Sequence, residues 1–518
     1  MNRALILLAA AGAVAFAQIP CEQLQSLKLP DTTITMATTV AAGAFQNPGA
    51  PAGPATPALP VQGKQAKGGG RGTPAAAPQM LPAYCRVSAT LKPSPDSDIK
   101  IEVWLPVGAG WNGKYEAVGG GGWAGVISYP ALASAVQEGY ATSSTDTGHE
   151  GGNANFAVGH PEKIVDFSYR AVHEMTVKAK AIITAFYGRG PRLSYWNGCS
   201  TGGRQGLMEA QRYPEDFDGI VAGAPANYQT HLHAFDISLQ AFVRQAGAAV
   251  PAEKTDLVAK AVLAACDAAD GVKDGLLNDP PKCNFDPSTL LCKGSESNSC
   301  LTALQVDSVK KAYAPLKTSK GALVYPGYAK GSETGWAVLA ANGPTPTALS
   351  LGSYREVLHQ DPNWDWKNWD VDKDVAAVDE KYGYINAVNP DLSAFKARGG
   401  KLLTYHGWAD TAISPENSIN YRASVLNKMG AKQDNWYRLF MVPGMGHCGN
   451  GAGPNQFNYM GAMERWRESG TAPEFIIAEH VANNKVDMTR PLCAYPQVAT
   501  YKGVGSTNDA ANFSCKAP

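Results

Sequence analysis

Three residues in this chain of 518 have the types and the order needed to turn a hydroxyl into a nucleophile. Ser200 lies in RLSYWNGCSTGGR, residues Arg192 to Arg204. There an aromatic, apolar run (Leu193, Tyr195, Trp196) stops at Gly198-Cys199-Ser200-Thr201-Gly202-Gly203, and a helix-compatible segment, Gln205 to Arg212, follows. A G-x-S-x-G turn between strand and helix forces its serine into strained backbone geometry at the carboxyl edge of a sheet. Asp410 follows the strand-like Lys401–His406 in HGWADTAISP, and His447 follows Tyr437–Val442 in PGMGHC. In that arrangement His447 takes the Ser200 proton, while Asp410 holds the imidazole tautomer and stabilises the imidazolium. Alone, each has a plain structural reading: a Gly-rich turn, a loop-capping aspartate, a turn histidine. Serine, acid and base in that order at three strand ends favour the chemistry.

The elements that must position these residues are legible around them. Alternation in Tyr84–Leu91 and Ile99–Leu105 predicts two early antiparallel strands, after a strand-like Thr32 to Met36. Tyr115–Val118 runs into Gly119-Gly120-Gly121-Gly122-Trp123, a strand ending in consecutive glycines. Such a loop can donate the second oxyanion N–H, from Gly121 or Gly122, beside the N–H of Thr201. A phosphate-cradling loop is the weaker alternative, because neither G-x-x-x-x-G-K-[ST] nor G-x-G-x-x-G accompanies it. Tyr140–Asp146 reads as the next strand and Phe167–Tyr187 as an amphipathic helix; His149 reads as a pocket-wall or structural residue and His173 as a packed or exposed helix residue. Gly219–Ala224, the helix Asp391–Arg398, the strands Lys401–Gly407 and Tyr437–Val442, the helix Asn455–Glu468 and the strand Phe475–Ala478 complete the alternation. Strands alternating with helices predict a parallel α/β sheet. With the Ser-Asp-His order, the expected fold is an α/β hydrolase. Residues 227–385 break the rhythm and read as a large inserted lid domain. The core is then split into 18–226 and 386–518.

Composition narrows the function class. Forty-five basic residues balance 45 acidic ones, which gives no electrostatic case for nucleic acid or an anionic membrane surface. Arg3, the apolar Ala4–Val14 and Ala15-Phe16-Ala17 form a secretory leader, residues 1–17, cleaved after Ala17. The apolar run is too short for a comfortable membrane span, so the mature chain is expected to be exported, to the medium or a periplasm, and soluble. The Pro/Ala/Gly tract at 46–79 has little to bury and reads as a disordered loop. Ten cysteines in an exported chain suggest five disulfides. Spacing suggests Cys266–Cys283, Cys292–Cys300 and Cys493–Cys515, which leaves Cys21, Cys85, Cys199 and Cys448 for longer connections. If Ser200 and His447 meet, their neighbours Cys199 and Cys448 come within bonding reach.

GCSTGGRQGL, HGWADTAISP and PGMGHCGNGAGP together resemble the serine, aspartate and histidine blocks of the tannase and feruloyl esterase family, which also includes the mono(2-hydroxyethyl) terephthalate hydrolase. The resemblance runs from about Cys85 to the C-terminus. It implies an α/β hydrolase with a lid and a serine carboxylic-ester hydrolase acting on aromatic acid esters. It also implies the triad Ser200, Asp410 and His447 beside a Cys199–Cys448 disulfide, with Cys21–Cys85 and the three local pairs completing the set. In Cys266–Leu276 the carboxylates and glycines read equally well as a solvated acidic turn or a metal site. The resemblance implies calcium there, held by Asp267, Asp270 and Asp274 and by the carbonyls of Val272 and Leu276. Lid aromatics such as Tyr325, Tyr328, Trp336, Trp364 and Trp366 could stack on the acyl ring, although packing is the simpler role for each. The expected partner is a small aromatic ester; the acyl group, the alcohol and the oligomeric state stay open. A serine peptidase with the same triad is one rival, and a non-catalytic polyphenol- or carbohydrate-binding protein on a hydrolase scaffold is the other.

Overall fold

The computed structural model describes residues 18–49, 78–123 and 125–517. The leader at 1–17 and residues 50–77 of the Pro/Gly tract lie outside the described residues. Nine strands form one sheet: β1 (Thr32–Val40), β2 (Tyr84–Leu91), β3 (Ile99–Pro106), β4 (Lys114–Val118), β5 (Ala141–Thr145), β6 (Leu193–Cys199), β7 (Gly219–Gly223), β8 (Lys401–Gly407) and β9 (Tyr437–Val442). Their order across the sheet is β1-β2-β3-β5-β4-β6-β7-β8-β9. The β1–β2, β2–β3 and β3–β5 pairs are antiparallel. From β5 to β9 every pair is parallel.

Parallel strands carry helical crossovers on both faces, so their side chains are buried on both sides. All five residues of β7 are buried. Alternation then divides the strands between two cores. Trp196, Ile220 and Leu402 pack with the helices α2 (Ala171–Tyr187), α3 (Thr201–Arg212) and α8 (Pro415–Met429). Their neighbours Tyr195, Val221 and Leu403 face α9 (Tyr459–Ser469), which contributes Met463 and Trp466, and α1 (Tyr129–Gln137), which contributes Ala135.

Several boundaries differ from the sequence reading, each for a local reason. Helix α3 starts at Thr201 rather than Gln205, so two glycines of low helix propensity lie inside its first turn. Helix α2 starts at Ala171, behind a π-helical turn at Asp166–Arg170. Such turns free backbone carbonyls, and the buried Arg204 guanidinium takes those of Ser168 and Phe167 at 3.1 and 3.3 Å. The segment expected as helix from Asn455 begins at Tyr459, where the Asn458 side chain accepts from Gly461 N–H. The strand from Phe475 continues to Ala482 and pairs with Lys485–Cys493, a strand absent from the sequence reading.

Residues 227–385 contain α4 (Gln229–Val243), α5 (Ala252–Cys266), α6 (Ala303–Tyr313) and α7 (Val371–Tyr382), with one short ribbon, Leu316–Lys317 against Leu323–Tyr325. They carry apolar clusters of their own. Both ends of this insertion are fixed to the core. Ala387 N–H donates to Asn227 O at 2.7 Å, the Asn417 amide donates to Asn227 Oδ1 at 2.6 Å, and Arg204 Nη1 donates to Ile385 O at 3.0 Å.

All ten cysteines pair, in the five combinations expected: Cys21–Cys85, Cys199–Cys448, Cys266–Cys283, Cys292–Cys300 and Cys493–Cys515. Among the described residues no helix is long and apolar enough to cross a membrane.

Candidate active site

The site is built at the carboxyl ends of β4, β6, β8 and β9. Ser200 sits between β6 and α3 at φ 65° and ψ −123°, a conformation that side-chain-bearing residues rarely adopt. Three backbone bonds hold it there: Ser200 N–H to Gly223 O at 2.9 Å, and Ser200 O accepting from Arg204 and Ala226 N–H, each at 3.0 Å. The turn closes only because Gly198 and Gly119 lack side chains. A Cβ on either would come within 2.6 Å of Gly202 backbone atoms.

The Gly119–Gly122 loop is tied to the start of α3. Gly202 N–H donates to Gly120 O at 2.8 Å, the Thr201 hydroxyl to Gly122 O at 2.8 Å, and Gly120 N–H to the Gln205 side chain at 3.1 Å. Nothing in the sequence singled out Gln205. Among the described residues neither the Gly121 nor the Gly122 N–H finds an acceptor. The Thr201 N–H lies in the first turn of α3, where helical N–H groups have no intrahelical partner. Among the described residues three N–H groups near Ser200, those of Gly121, Gly122 and Thr201, are thus left without helical or loop partners.

Asp410 and His447 meet as expected, with His447 Nδ1 2.8 Å from Asp410 Oδ2. Asp410 is fully buried, whereas His447 is partly exposed. Burial pushes the Asp410 pKa up, but the His447 charge and hydrogen bonds from His406 and His447 outweigh it, leaving the carboxyl well below its ordinary range. Burial pushes His447 down, and the Asp410 charge and hydrogen bond overcome that and raise it. The Cys199–Cys448 bridge, with Cα atoms 5.9 Å apart, joins the residue before Ser200 to the residue after His447 across 249 positions. The Ser200 hydroxyl makes no hydrogen bond among the described residues, and His447 Nε2 lies 3.6 Å from Cys448 Sγ. Catalytic hydrogen bonds often close only around substrate.

The insertion touches this site from two sides. Trp123 Nε1 donates to Leu349 O at 2.9 Å beside the glycine loop. In the Asp410 loop, the Ser414 hydroxyl donates to Gly327 O at 2.6 Å and Ile413 packs into the insertion's own core. Trp336 and Tyr325 are each 1% exposed in that core, so neither presents a free ring face; Trp336 packs on Tyr313. Burial raises the Tyr325 and Tyr328 phenols, and the charges of Asp236 and Asp410 raise them further. Trp364 stacks on His359 with centroids 4.5 Å apart, in a different cluster.

At Cys266–Leu276 the carboxylates organise their own turn. Asp267 accepts from Asp274 and Gly275 N–H, and Asp270 from Val272 and Asn278 N–H. Asp274 accepts from Leu276 N–H and from the buried Arg490. Burial and then the Asp274 and Asp267 charges raise Asp270 against the pull of its N–H donors. The Asn278 side-chain amide is buried beside them without a partner. An all-oxygen donor set with an excess of negative charge fits a hard divalent cation, although the three carboxylates are not gathered within 4.8 Å. Among the described residues that tight grouping occurs at His173, Glu209 and Asp216, where His173 Nδ1 is 2.7 Å from Asp216 Oδ2. His173 is therefore a helix residue held against Asp216.

A family model for tannase and feruloyl esterase matches residues 85–516. The chain belongs to the tannase and feruloyl esterase family. Membership makes it a carboxylic ester hydrolase. It is 38% identical to an uncharacterized esterase of Xanthomonas campestris pv. campestris, over 98% of this chain and 93% of that one. It is 36% identical to a probable feruloyl esterase B-2 of Aspergillus terreus, over 83% and 86%. Among solved structures, feruloyl esterase B from Aspergillus oryzae superposes with a TM-score of 0.86 at 31% identity, covering 96% of this chain and 99% of that one. Tannin acyl hydrolase from Aspergillus niger gives 0.75 at 25% identity, covering 97% and 94%. The tannase and feruloyl esterase fold, α/β-hydrolase-like, thus spans nearly all of the chain.

Proposed function

We propose that the protein is an exported serine esterase that cleaves esters of aromatic acids through Ser200, His447 and Asp410. The observation that carries this reading is the strained Ser200, bridged through Cys199–Cys448 to a histidine already paired with a buried aspartate. Ser200 Oγ attacks the ester carbonyl carbon and its proton passes to His447 Nε2. The carbonyl oxygen becomes an oxyanion facing the N–H of Thr201 and that of Gly121 or Gly122. Collapse expels the alcohol, which leaves with the His447 proton. Water then repeats the cycle on the acyl-enzyme and frees the acid. Asp410 keeps Nδ1 protonated throughout.

The aromatic acyl group is supported by the names of the relatives, feruloyl esterase B and tannin acyl hydrolase. Residues 227–385 act in this reading as a lid, supported by their contacts with the glycine loop and the Asp410 loop. Export after cleavage at Ala17 is supported by five disulfides, which persist in oxidising compartments. Purified protein assayed on methyl ferulate, methyl gallate, mono(2-hydroxyethyl) terephthalate and a matching anilide tests the reading. Hydrolysis of at least one aromatic ester with the anilide untouched is expected. Cleavage of the anilide alone would replace the esterase by a peptidase, and no turnover with any of them would leave the binding-protein alternative.

Calcium at Asp267, Asp270 and Asp274, with the Val272 and Leu276 carbonyls, has a structural role in this proposal and no part in the chemistry. A ligand at 100 times its Kd stabilises the native state by about 2.7 kcal/mol. Chelation with EGTA is therefore expected to lower the melting temperature, calcium to restore it, and Asp270→Asn to abolish the difference. A melting curve indifferent to EGTA in the wild type would remove calcium from the account.

A further inference from the structure

His406 is the penultimate residue of β8, fully buried, and lies four positions before Asp410. Its Nε2 is 3.2 Å from Asp410 Oδ2 and 3.0 Å from Ile413 O. Carboxylate and carbonyl oxygens only accept, so Nε2 must carry a proton; its hydrogen bond goes to Ile413 O, with Asp410 Oδ2 alongside within reach of the same N–H. On the other side of the ring Nδ1 is 2.7 Å from the Ser418 hydroxyl in α8. That hydroxyl has no other acceptor among the described residues, so it donates to Nδ1. Asp410 Oδ1 is occupied independently, by Ala412 and Ile413 N–H at 2.8 and 2.9 Å.

Asp410 Oδ2 is thus the one oxygen shared by two imidazoles, His447 at 2.8 Å and His406 at 3.2 Å. The two Oδ1 bonds alone leave the carboxylate free to rock about the axis through them. We propose that His406, with its ring fixed by Ser418, is the positioning residue that holds Asp410 Oδ2 on the His447 Nδ1–H. The proposal rests on the triad reading above. The titratable groups around Asp410 are His447, His406 and the Tyr325 and Tyr328 phenols of the insertion. His406 does not touch substrate; it acts through Asp410.

The test is a comparison of His406→Leu with His406→Gln in the full-length chain. Leucine keeps the bulk but removes the donor; the glutamine amide returns an N–H near the position of Nε2. Small misplacements of a catalytic group cost up to about 10²-fold. His406→Leu is therefore expected to lower kcat roughly 10–100-fold at nearly unchanged KM, and His406→Gln to recover most of it. On an Asp410→Ala background, His406→Leu is expected to cost nothing further, because its effect passes through the missing carboxylate. A leucine variant that keeps wild-type kcat, or loses as much with Asp410 absent as present, overturns the proposal. If the leucine variant does not fold, Ser418→Ala takes its place: a fall in kcat confined to the Asp410 background supports positioning, and no fall overturns it. Should Asp410→Ala itself leave kcat intact, the triad reading fails, an outcome distinct from failure of His406 alone.

Discussion

Ser200→Ala is expected to abolish ester hydrolysis while leaving the melting temperature and the circular dichroism spectrum close to wild type. Only the proposed nucleophile is lost, because the backbone of the elbow is held by bonds with Gly223, Arg204 and Ala226 that do not involve the hydroxyl. In triad hydrolases the loss of the serine costs about 2 × 10⁶ in kcat, and a residual 10³–10⁴ over water survives from the oxyanion donors and binding. Alanine fits the space but not the dihedral angles easily, since φ 65° remains unfavourable for any side chain. A small stability change in either direction is tolerable; retained hydrolysis of a phenolic ester is not. In the wild type a fluorophosphonate adduct on Ser200, found by peptide mass mapping and missing from the variant, supplies the positive control.

The second large effect is expected from Cys199→Ala/Cys448→Ala. Closing a long loop in the unfolded chain is where a disulfide stabilises most in the chain-entropy account, and 249 residues is a very long loop. A loss of roughly 2–4 kcal/mol follows. The loss of activity is expected to be larger than the loss of stability explains. The bridge fixes the residue before Ser200 to the residue after His447, and without it the two loops keep only their separate strand anchors. Measured well below the melting transition, kcat should fall at least about tenfold, with the Asp410–His447 pair intact. Equal kcat at a temperature where the double variant is fully folded would reduce the bridge to a structural staple.

Much of the candidate site was readable because catalysis at a sheet edge needs particular residues at particular places. Serine, aspartate and histidine each had to follow a strand, and glycines had to surround Ser200 whatever the rest of the chain did. Cys199 and Cys448 were readable for the same reason, each lying one residue from a position already singled out. His406 escaped because it is a strand residue and its role exists only through contacts. Nothing in HGWAD distinguishes a histidine holding a carboxylate from one packed in a core. Gln205 escaped likewise, as an ordinary polar residue on a helix. Glycine propensity delayed the expected start of α3, although a helix must begin immediately behind the nucleophile for the Thr201 N–H to point at the oxyanion. The strand Lys485–Cys493 was hidden by its alternating charges and by Pro491. The aromatics of the insertion could not be sorted at all, because Trp336 in a packed cluster and a tryptophan on a pocket wall look identical in one dimension.

The two stalks of the insertion bear on how a substrate arrives. Asn227 is fastened to Ala387 and Asn417, and Ile385 to Arg204, which belongs to the same helix that Ser200 introduces. Swinging the whole segment away would strip the buried Arg204 guanidinium of one of its three carbonyl acceptors and pull on the helix that follows Ser200. If residues 227–385 act as the lid proposed above, access to Ser200 is expected to open by rearrangement inside 227–385 while these anchored ends stay put. Changes in acyl preference among relatives of this chain should then be sought in the interior of that segment, with its anchored ends left alone.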